Sequence, residues 1–133
     1  MATYTSGPVA GNSSFKPFPD GNLGVRYAKF TATTAIAVND VIQMVDVFAG
    51  ETVHNVKIKT TDLDTGTALV LDVGDGSDTD YYIDGSTIGQ AGGSDELDAN
   101  VAPKTYTADD TIDVLAQVGP GGGGTGDIEI WVT

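Results

Sequence analysis

A two-residue alternation of apolar and polar side chains, in short runs that end at glycines, constrains this chain more than any other feature. The alternation is clearest in residues 112–118 and 128–132, where every second residue is Ile, Val or Ala. Successive side chains of a strand point to opposite faces, so this period predicts half-buried strands. The chain has 18 glycines, which indicate many turns. We therefore predict an all-β antiparallel sandwich, jelly-roll-like in type.

Two local features carry more detailed expectations. The two alternating runs flank a glycine-rich segment, residues 119–126, and this arrangement predicts a hairpin with an exposed tip. In residues 52–60, the spacing from Val53 to Val56 breaks the two-residue period, which predicts a bulge at His54 and Asn55.

The N-terminal segment differs in composition from the rest. Residues 1–22 contain three of the five prolines, together with scattered glycines and isolated aromatic residues. Proline removes a hydrogen-bond donor from a sheet, so we predict an extended N-terminal arm over residues 1–22 and a β-sandwich domain over residues 23–133.

The charge balance limits the partners. The formal net charge is −13, from 19 acidic and 6 basic residues. A surface this acidic repels phosphate backbones and anionic lipid, so we expect neither nucleic acid nor membrane as a partner. The N-terminus has no basic region followed by an apolar run, so we expect no signal peptide and synthesis in a cytoplasm.

No pattern typical of an enzyme is present. The chain has no cysteine, a single histidine at His54 and no Gly-x-Ser-x-Gly motif. The glycine segment 119–126 lacks the lysine and the following helix of a phosphate-binding loop. We predict a protein that is not an enzyme and has no cofactor.

One acidic run has the composition of a cation site. Residues 72–80 contain Asp75, Asp78 and Asp80 between glycines, and calcium binds flexible loops rich in Asp oxygens. The run does not follow the EF-hand order, and Asp and Gly also populate ordinary turns. We predict no metal site and keep these three residues as weak candidates.

The stretch from Asp40 to Gly93 resembles small structural proteins in the virions of tailed bacteriophages. The likeness extends to the start of the last alternating runs, residues 110–113, and covers about two-thirds of the chain. The segments that carry it are Asn39-Asp40-Val41-Ile42-Gln43-Met44, Val56-Lys57-Ile58-Lys59-Thr60-Thr61-Asp62-Leu63-Asp64, Val70-Leu71-Asp72-Val73-Gly74-Asp75-Gly76 and Tyr82-Ile83-Asp84-Gly85-Ser86-Thr87.

The resemblance implies a head decoration or cement protein. Such a protein would be a jelly-roll-like homotrimer on the capsid surface of the virion, bound to the major capsid protein and bridging its subunits. It transfers no functional residue, because proteins of this kind act through broad surfaces.

Aromatic and basic side chains near the arm are our candidates for contact with the capsid or a neighbouring subunit. They are Tyr4, Phe15, Lys16, Phe18, Arg26, Lys29 and Trp131. The alternative function is a receptor- or glycan-binding module of a head or tail fibre, which would stack sugars on exposed aromatic rings. The candidates for that stacking are Tyr81, Tyr82, Tyr106 and Trp131.

Overall fold

The computed structural model describes residues 2–6 and 24–133, which form an all-β sandwich. The described part contains eleven strands and one 3-10 turn at Ile88–Gln90, and no helix in it could span a membrane. The strands are β1 (Thr3–Thr5), β2 (Arg26–Ala32), β3 (Val41–Val47), β4 (Thr52–Val53), β5 (Val56–Thr60), β6 (Val70–Gly74), β7 (Ile83–Ser86), β8 (Gly93–Glu96), β9 (Lys104–Thr105), β10 (Asp110–Val118) and β11 (Gly126–Val132).

The strand order gives the topology. The first sheet has the order β1-β3-β10-β6-β7, the second has the order β2-β11-β5-β8, and β4 pairs with β9 in a small third sheet. Apart from β1, β4 and β9, the strands form nested antiparallel pairs: β2 with β11, β3 with β10, β5 with β8 and β6 with β7. A long hairpin rolled over two sheets produces this nesting, which is the jelly roll. The predicted fold class is confirmed.

The core lies between the two sheets and follows the alternation in the sequence. In β10, Ile112, Val114 and Ala116 are buried, and in β11 the buried side chains are Ile128, Ile130 and Val132. The two strands therefore supply opposite walls of one core. Stacked sheets lie about 10 Å apart, which matches the reach of two layers of aliphatic side chains.

The hairpin expected from these two runs is wrong. β10 pairs with β3 and β6 in the first sheet, whereas β11 pairs with β2 and β5 in the second sheet. Residues 119–126 cross from one sheet to the other. Each run has to bury its apolar face. That face is buried equally well when the two strands face each other across the core and when they pair side by side in one sheet.

The bulge expected at His54 and Asn55 is also wrong. These residues lie between β4, in the small sheet, and β5, in the second sheet. The N–H of His54 donates to the carbonyl of Thr133 over 2.7 Å, and that of Asn55 also donates to this carbonyl. The break in the period marks the point where the chain changes sheets.

Part of the predicted arm is a strand. Thr3–Thr5 pairs in parallel with Val41–Gln43 at the edge of the first sheet, and the N–H of Ser6 donates to the carbonyl of Gln43 over 2.8 Å. Residues 7–23, with Phe15, Lys16 and Phe18, lie outside the described residues. Along the chain they link β1 to β2. The division at residue 22 stays a prediction.

A single buried carboxylate holds two crossings between the sheets together. Asp64, which is 2% exposed, lies between β5 and β6. Its Oδ1 accepts hydrogen bonds from the N–H groups of Gly66 (2.7 Å), Gly121 (2.9 Å) and Gly122 (3.1 Å). Its Oδ2 accepts from Ala68 (2.8 Å) and Leu69 (2.9 Å). The crossing from β5 to β6 is thus bonded to the crossing from β10 to β11.

The same five bonds determine the ionisation of Asp64. Burial by itself would raise the pKa of the carboxyl, but the backbone N–H groups of Leu69, Ala68, Gly66 and Gly121 hold it well below its usual range. The ionised form is therefore the one that the fold stabilises.

We expect Asp64→Asn to lower the melting temperature at pH 7, because an amide group replaces one of the two accepting oxygens. The folded-state pKa of Asp64 is depressed, so its contribution is complete above the unfolded pKa of about 4 and is lost as the pH falls below that value. The gap between wild type and variant should therefore narrow below about pH 4 in thermal melts. Asp62→Asn, at an exposed neighbouring carboxyl, is the control, and equal melting temperatures for wild type and Asp64→Asn at pH 7 would contradict the role of Asp64.

Candidate functional site

The outer face of the second sheet carries Tyr27, the most exposed aromatic side chain among the described residues. Tyr27 of β2, Trp131 of β11 and Lys57 of β5 lie opposite one another in the register of the three strands. The rings of Tyr27 and Trp131 are 5.2 Å apart between centroids and tilted by 48°. Tyr27 is 42% exposed and Trp131 is half-buried. Trp131 alternates with the buried Ile130 and Val132 of β11, so its side chain points away from the core.

A row of charged residues runs beside the aromatic pair. Lys29, Glu129 and Lys59 are cross-strand neighbours in the same three strands. The hydroxyl of Tyr27 donates to Glu129 Oε1 over 2.5 Å. This bond, followed by burial, raises the pKa of Tyr27.

Lys29 has an acidic partner further along β11. Its Nζ lies 3.2 Å from Asp127 Oδ2, and Thr31 Oγ1 donates to Asp127 Oδ1 over 2.7 Å. The bond from Thr31, followed by that from Lys29, lowers the pKa of Asp127. The face therefore combines exposed rings with charges of both signs.

Tyr4 and Arg26, two of the predicted contact residues, have partners within the sandwich. The ring of Tyr4 is 5.5 Å from that of Phe30, which joins the edge of the first sheet to the second. Arg26 is 6% exposed, and its guanidinium forms a bidentate pair with Glu51 and donates to the carbonyl of Asp46 over 3.0 Å. Lys29 and Trp131 lie instead on the outer face of the second sheet.

Asp75, one of the weak metal candidates, is fully buried and its oxygens are already bonded. Oδ2 accepts from Lys104 Nζ over 2.5 Å and from the Tyr106 hydroxyl over 2.8 Å, while Oδ1 accepts from Ser77 and from the N–H of Asp78. Burial opposes ionisation of Asp75, but these bonds, that of Lys104 first, lower its pKa to about 2. Asp75 therefore joins its own turn to Lys104 and Tyr106 inside the protein.

The other two weak candidates differ from Asp75. Asp78 and Asp80 are exposed, and a hydrogen bond with Asp78 raises the pKa of Asp80. Within residues 2–6 and 24–133, no three His, Cys, Asp or Glu side chains are grouped as a metal site.

Two of the four aromatic candidates for sugar stacking are buried. The hydroxyls of Tyr82 and Tyr106 lie 2.7 Å apart, and burial raises the pKa of both. Tyr81 is half-buried beneath Lys104, whose Nζ is 4.7 Å from the centre of its ring. Trp131 is the candidate that lies on an open sheet face, and its partner Tyr27 was missed because an isolated tyrosine in a strand gives no sign of its neighbour across the sheet.

Three carboxyls lie on the side of the first sheet that points away from the core, and two of them, Asp72 and Asp113, are buried. Asp72 and Asp113 alternate with core residues of β6 and β10, so they point away from the core, and Asp46 lies on the same outer side of β3. Burial is the main cause that raises the pKa of each of the three carboxyls. For Asp113 the pKa rises to about 6, although a bond from Thr111 Oγ1 opposes the shift. The outward carboxyls of the first sheet are therefore harder to ionise than ordinary surface acids.

A shallow apolar groove lies at one end of the sandwich. It has a volume of about 560 Å³ and is lined by residues 35–38 and by Val118, Gly119, Pro120, Gly122 and Gly123. Val38 and Val118 are 51% and 44% exposed.

Comparison with known proteins places the fold among those of phage capsids. No protein-family model matches the chain, and no curated protein matches it. A chain in the capsid of Ralstonia phage GP4 superposes with a TM-score of 0.77 at 25% identity, over 98% of this chain and 95% of that one. A chain in the capsid asymmetric unit of cyanophage Pam1 gives a TM-score of 0.76 at 24% identity, over 90% and 89% of the two chains. Both likenesses show the fold, and the one to the Ralstonia phage GP4 chain supports a structural, non-enzymatic role in a phage virion.

We expect Asp113→Asn to stabilise the protein at neutral pH. An acid with a raised folded pKa binds its proton more tightly in the folded state, so wild-type stability should fall as the pH rises from about 4 to about 6. The asparagine side chain does not ionise, so the variant does not lose stability as the pH rises, and its amide oxygen can still accept the bond from Thr111. Its free energy of unfolding at pH 7 should therefore exceed that of wild type by about 2 kcal/mol. Urea unfolding at pH 4 and pH 7 measures both. A variant that is no more stable than wild type at pH 7 would show that ionisation of Asp113 does not destabilise the folded protein.

Proposed function

We propose that this protein is a decoration or cement protein that binds the outer surface of a phage head and bridges neighbouring capsid subunits. The likeness to a chain of the Ralstonia phage GP4 capsid, over nearly the full length of both chains, carries the proposal. The partner is the major capsid protein, and the bound form is a homotrimer.

The charge supports a position on the outside of the shell. At a net charge of −13, the protein is repelled by packaged DNA, whose backbone carries one negative charge per phosphate. The same charge opposes aggregation of free copies before assembly.

Stabilisation of the shell follows from selective binding. A copy that spans two capsid subunits binds only where the subunits lie side by side, so its binding free energy favours the assembled shell over separated subunits. The jelly roll suits this role because its two packed sheets form a rigid body between the points of contact.

The experiment that tests this function mixes the purified protein with capsids assembled without it. We expect binding that saturates at a fixed number of copies per capsid, and a higher melting temperature for the decorated capsids. Sedimentation equilibrium of the free protein tests the trimer against the chain mass of 13.6 kDa. Absence of capsid binding, together with retention on a glycan array, would favour the fibre module instead.

The N-terminal segment is proposed as one contact with the capsid, through Phe15, Lys16 and Phe18. Deleting residues 1–22 is a poor test, because it also removes β1 and the contact between Tyr4 and Phe30. Tyr4 and Arg26 remain proposed contacts, but substituting them alters the sandwich itself.

We therefore expect the double variant Phe15→Ala with Phe18→Ala to weaken capsid binding by at least about tenfold, since aromatic anchors commonly contribute 2 kcal/mol or more each at an interface. Titration of capsids followed by sedimentation measures the change. The control is Pro17→Ala, between the two aromatic residues, which should bind almost as wild type does. Wild-type affinity in the double variant would eliminate the arm contact.

A further inference from the structure

The basic residues of this chain differ sharply in whether they have an acidic partner. Arg26 pairs with Glu51, Lys104 with Asp75 and Lys29 with Asp127. Lys57 and Lys59 form no ion pair with any residue in the described ranges. Lys16 lies outside them.

Two lysines that form no ion pair with a described residue are unexpected in a chain with 19 acidic residues. They are two positions apart in β5, so both side chains point to the outer face of the second sheet. Glu129 lies beside Lys59 in the register of the strands, but its carboxylate accepts the hydrogen bond of Tyr27. Glu96 is the register neighbour of Lys57 on the edge strand β8, without an ion pair between them.

The outer face of the second sheet carries no net charge of its own. Its three lysines, Lys29, Lys57 and Lys59, are matched in number by Asp127, Glu129 and Glu96. The whole net charge of −13 therefore falls on the rest of the molecule. An acidic protein can approach this face without the repulsion that the strongly acidic remainder of the molecule would exert.

The aromatic pair lies beside the two lysines. Trp131 is the direct cross-strand neighbour of Lys57, and Tyr27 packs on the far side of Trp131 with 5.2 Å between ring centroids. Tryptophan and tyrosine are the residue types most often responsible for binding energy at interfaces, particularly when polar groups surround them. The four strands thus present, on one surface, aromatic rings and two lysines that form no ion pair within the described part of the chain.

We infer that the outer face of the second sheet docks on the capsid shell, with carboxylates of the shell opposite Lys57 and Lys59 and apolar contacts against Tyr27 and Trp131. This inference rests on the proposed function and assigns its docking surface. Charge supports this occupant: Lys57 and Lys59 form no ion pair within the described residues, so both ammonium groups can bind carboxylates of the shell. In this orientation the first sheet lies on the side of the sandwich away from the shell.

The test uses the full chain and capsids assembled without it. The variant Lys57→Gln with Lys59→Gln removes two positive charges and keeps most of each side-chain stem. The matched control, Thr107→Glu with Ala108→Glu, changes the net charge by the same amount at exposed positions between β9 and β10. Comparing the two separates the loss of a contact from the general effect of extra negative charge.

We expect the lysine variant to bind capsids at least about tenfold more weakly than wild type, and the control to stay within about threefold. Trp131→Ala should also bind at least about tenfold more weakly. Thermal melts establish that each variant is folded, and if Trp131→Ala is not, the lysine variant decides the test. Both lysines are on the surface, so we expect the lysine variant to melt as wild type does.

The outcomes distinguish this inference from the proposed function. Failure of the wild-type protein to bind capsids would overturn the proposed function and the docking face with it. Wild-type binding that the lysine variant retains would overturn the docking face alone. A lysine variant that binds capsids normally but no longer forms the wild-type oligomer would assign the face to contacts between copies, and would also overturn the inference.

Discussion

The carboxylate of Asp64 is the interaction on which the rolled form of this chain depends. It lies where the chain passes from β5 to β6, and it accepts backbone N–H groups both from that crossing and from the one between β10 and β11. The two crossings run between the same pair of sheets, and β11 in turn pairs with β5. One buried charge thereby joins the end of the chain to its middle, and the glycine-rich segment 119–126 becomes an ordered connection.

The sandwich separates structural charges from surface charges. Arg26 with Glu51 and Lys104 with Asp75 are closed pairs that stabilise the interior and the ends of strands. A buried charge needs such a partner, since removing either member leaves the other uncompensated. The outer sides of the two sheets differ: on the first, Asp72 and Asp113 are buried carboxyls whose pKa is raised, and on the second, exposed aromatic rings lie among lysines and carboxylates of equal number.

Much of the local structure could be read from the sequence, and the errors share one cause. The alternation in residues 112–118 and 128–132 located β10 and β11 and identified which side chains face the core. It did not indicate that the two strands lie in different sheets, because the same apolar face is buried in a hairpin and in a sandwich. The irregular spacing from Val53 to Val56 was a real signal, but a bulge and a change of sheet interrupt the period in the same way.

The candidate site also combines features that the sequence indicates with features that only the fold brings together. Trp131 and Lys29 could be assigned to an outward face from their positions in their strands, but Tyr27, Lys57 and Lys59 join them only through the register of three strands distant in sequence. Asp75 looked like one acid among several in a polar turn, and the fold buried it against Lys104 and Tyr106.

The sequence by itself determined that this chain is an acidic antiparallel β-sandwich, because composition and side-chain period are local properties. Only the tertiary structure decided which strands pair, and with them the jelly-roll order, as well as which acids are buried against partners and which lysines form no ion pair within the described residues. These depend on contacts between residues far apart in the chain, and the two-residue period carries no record of them.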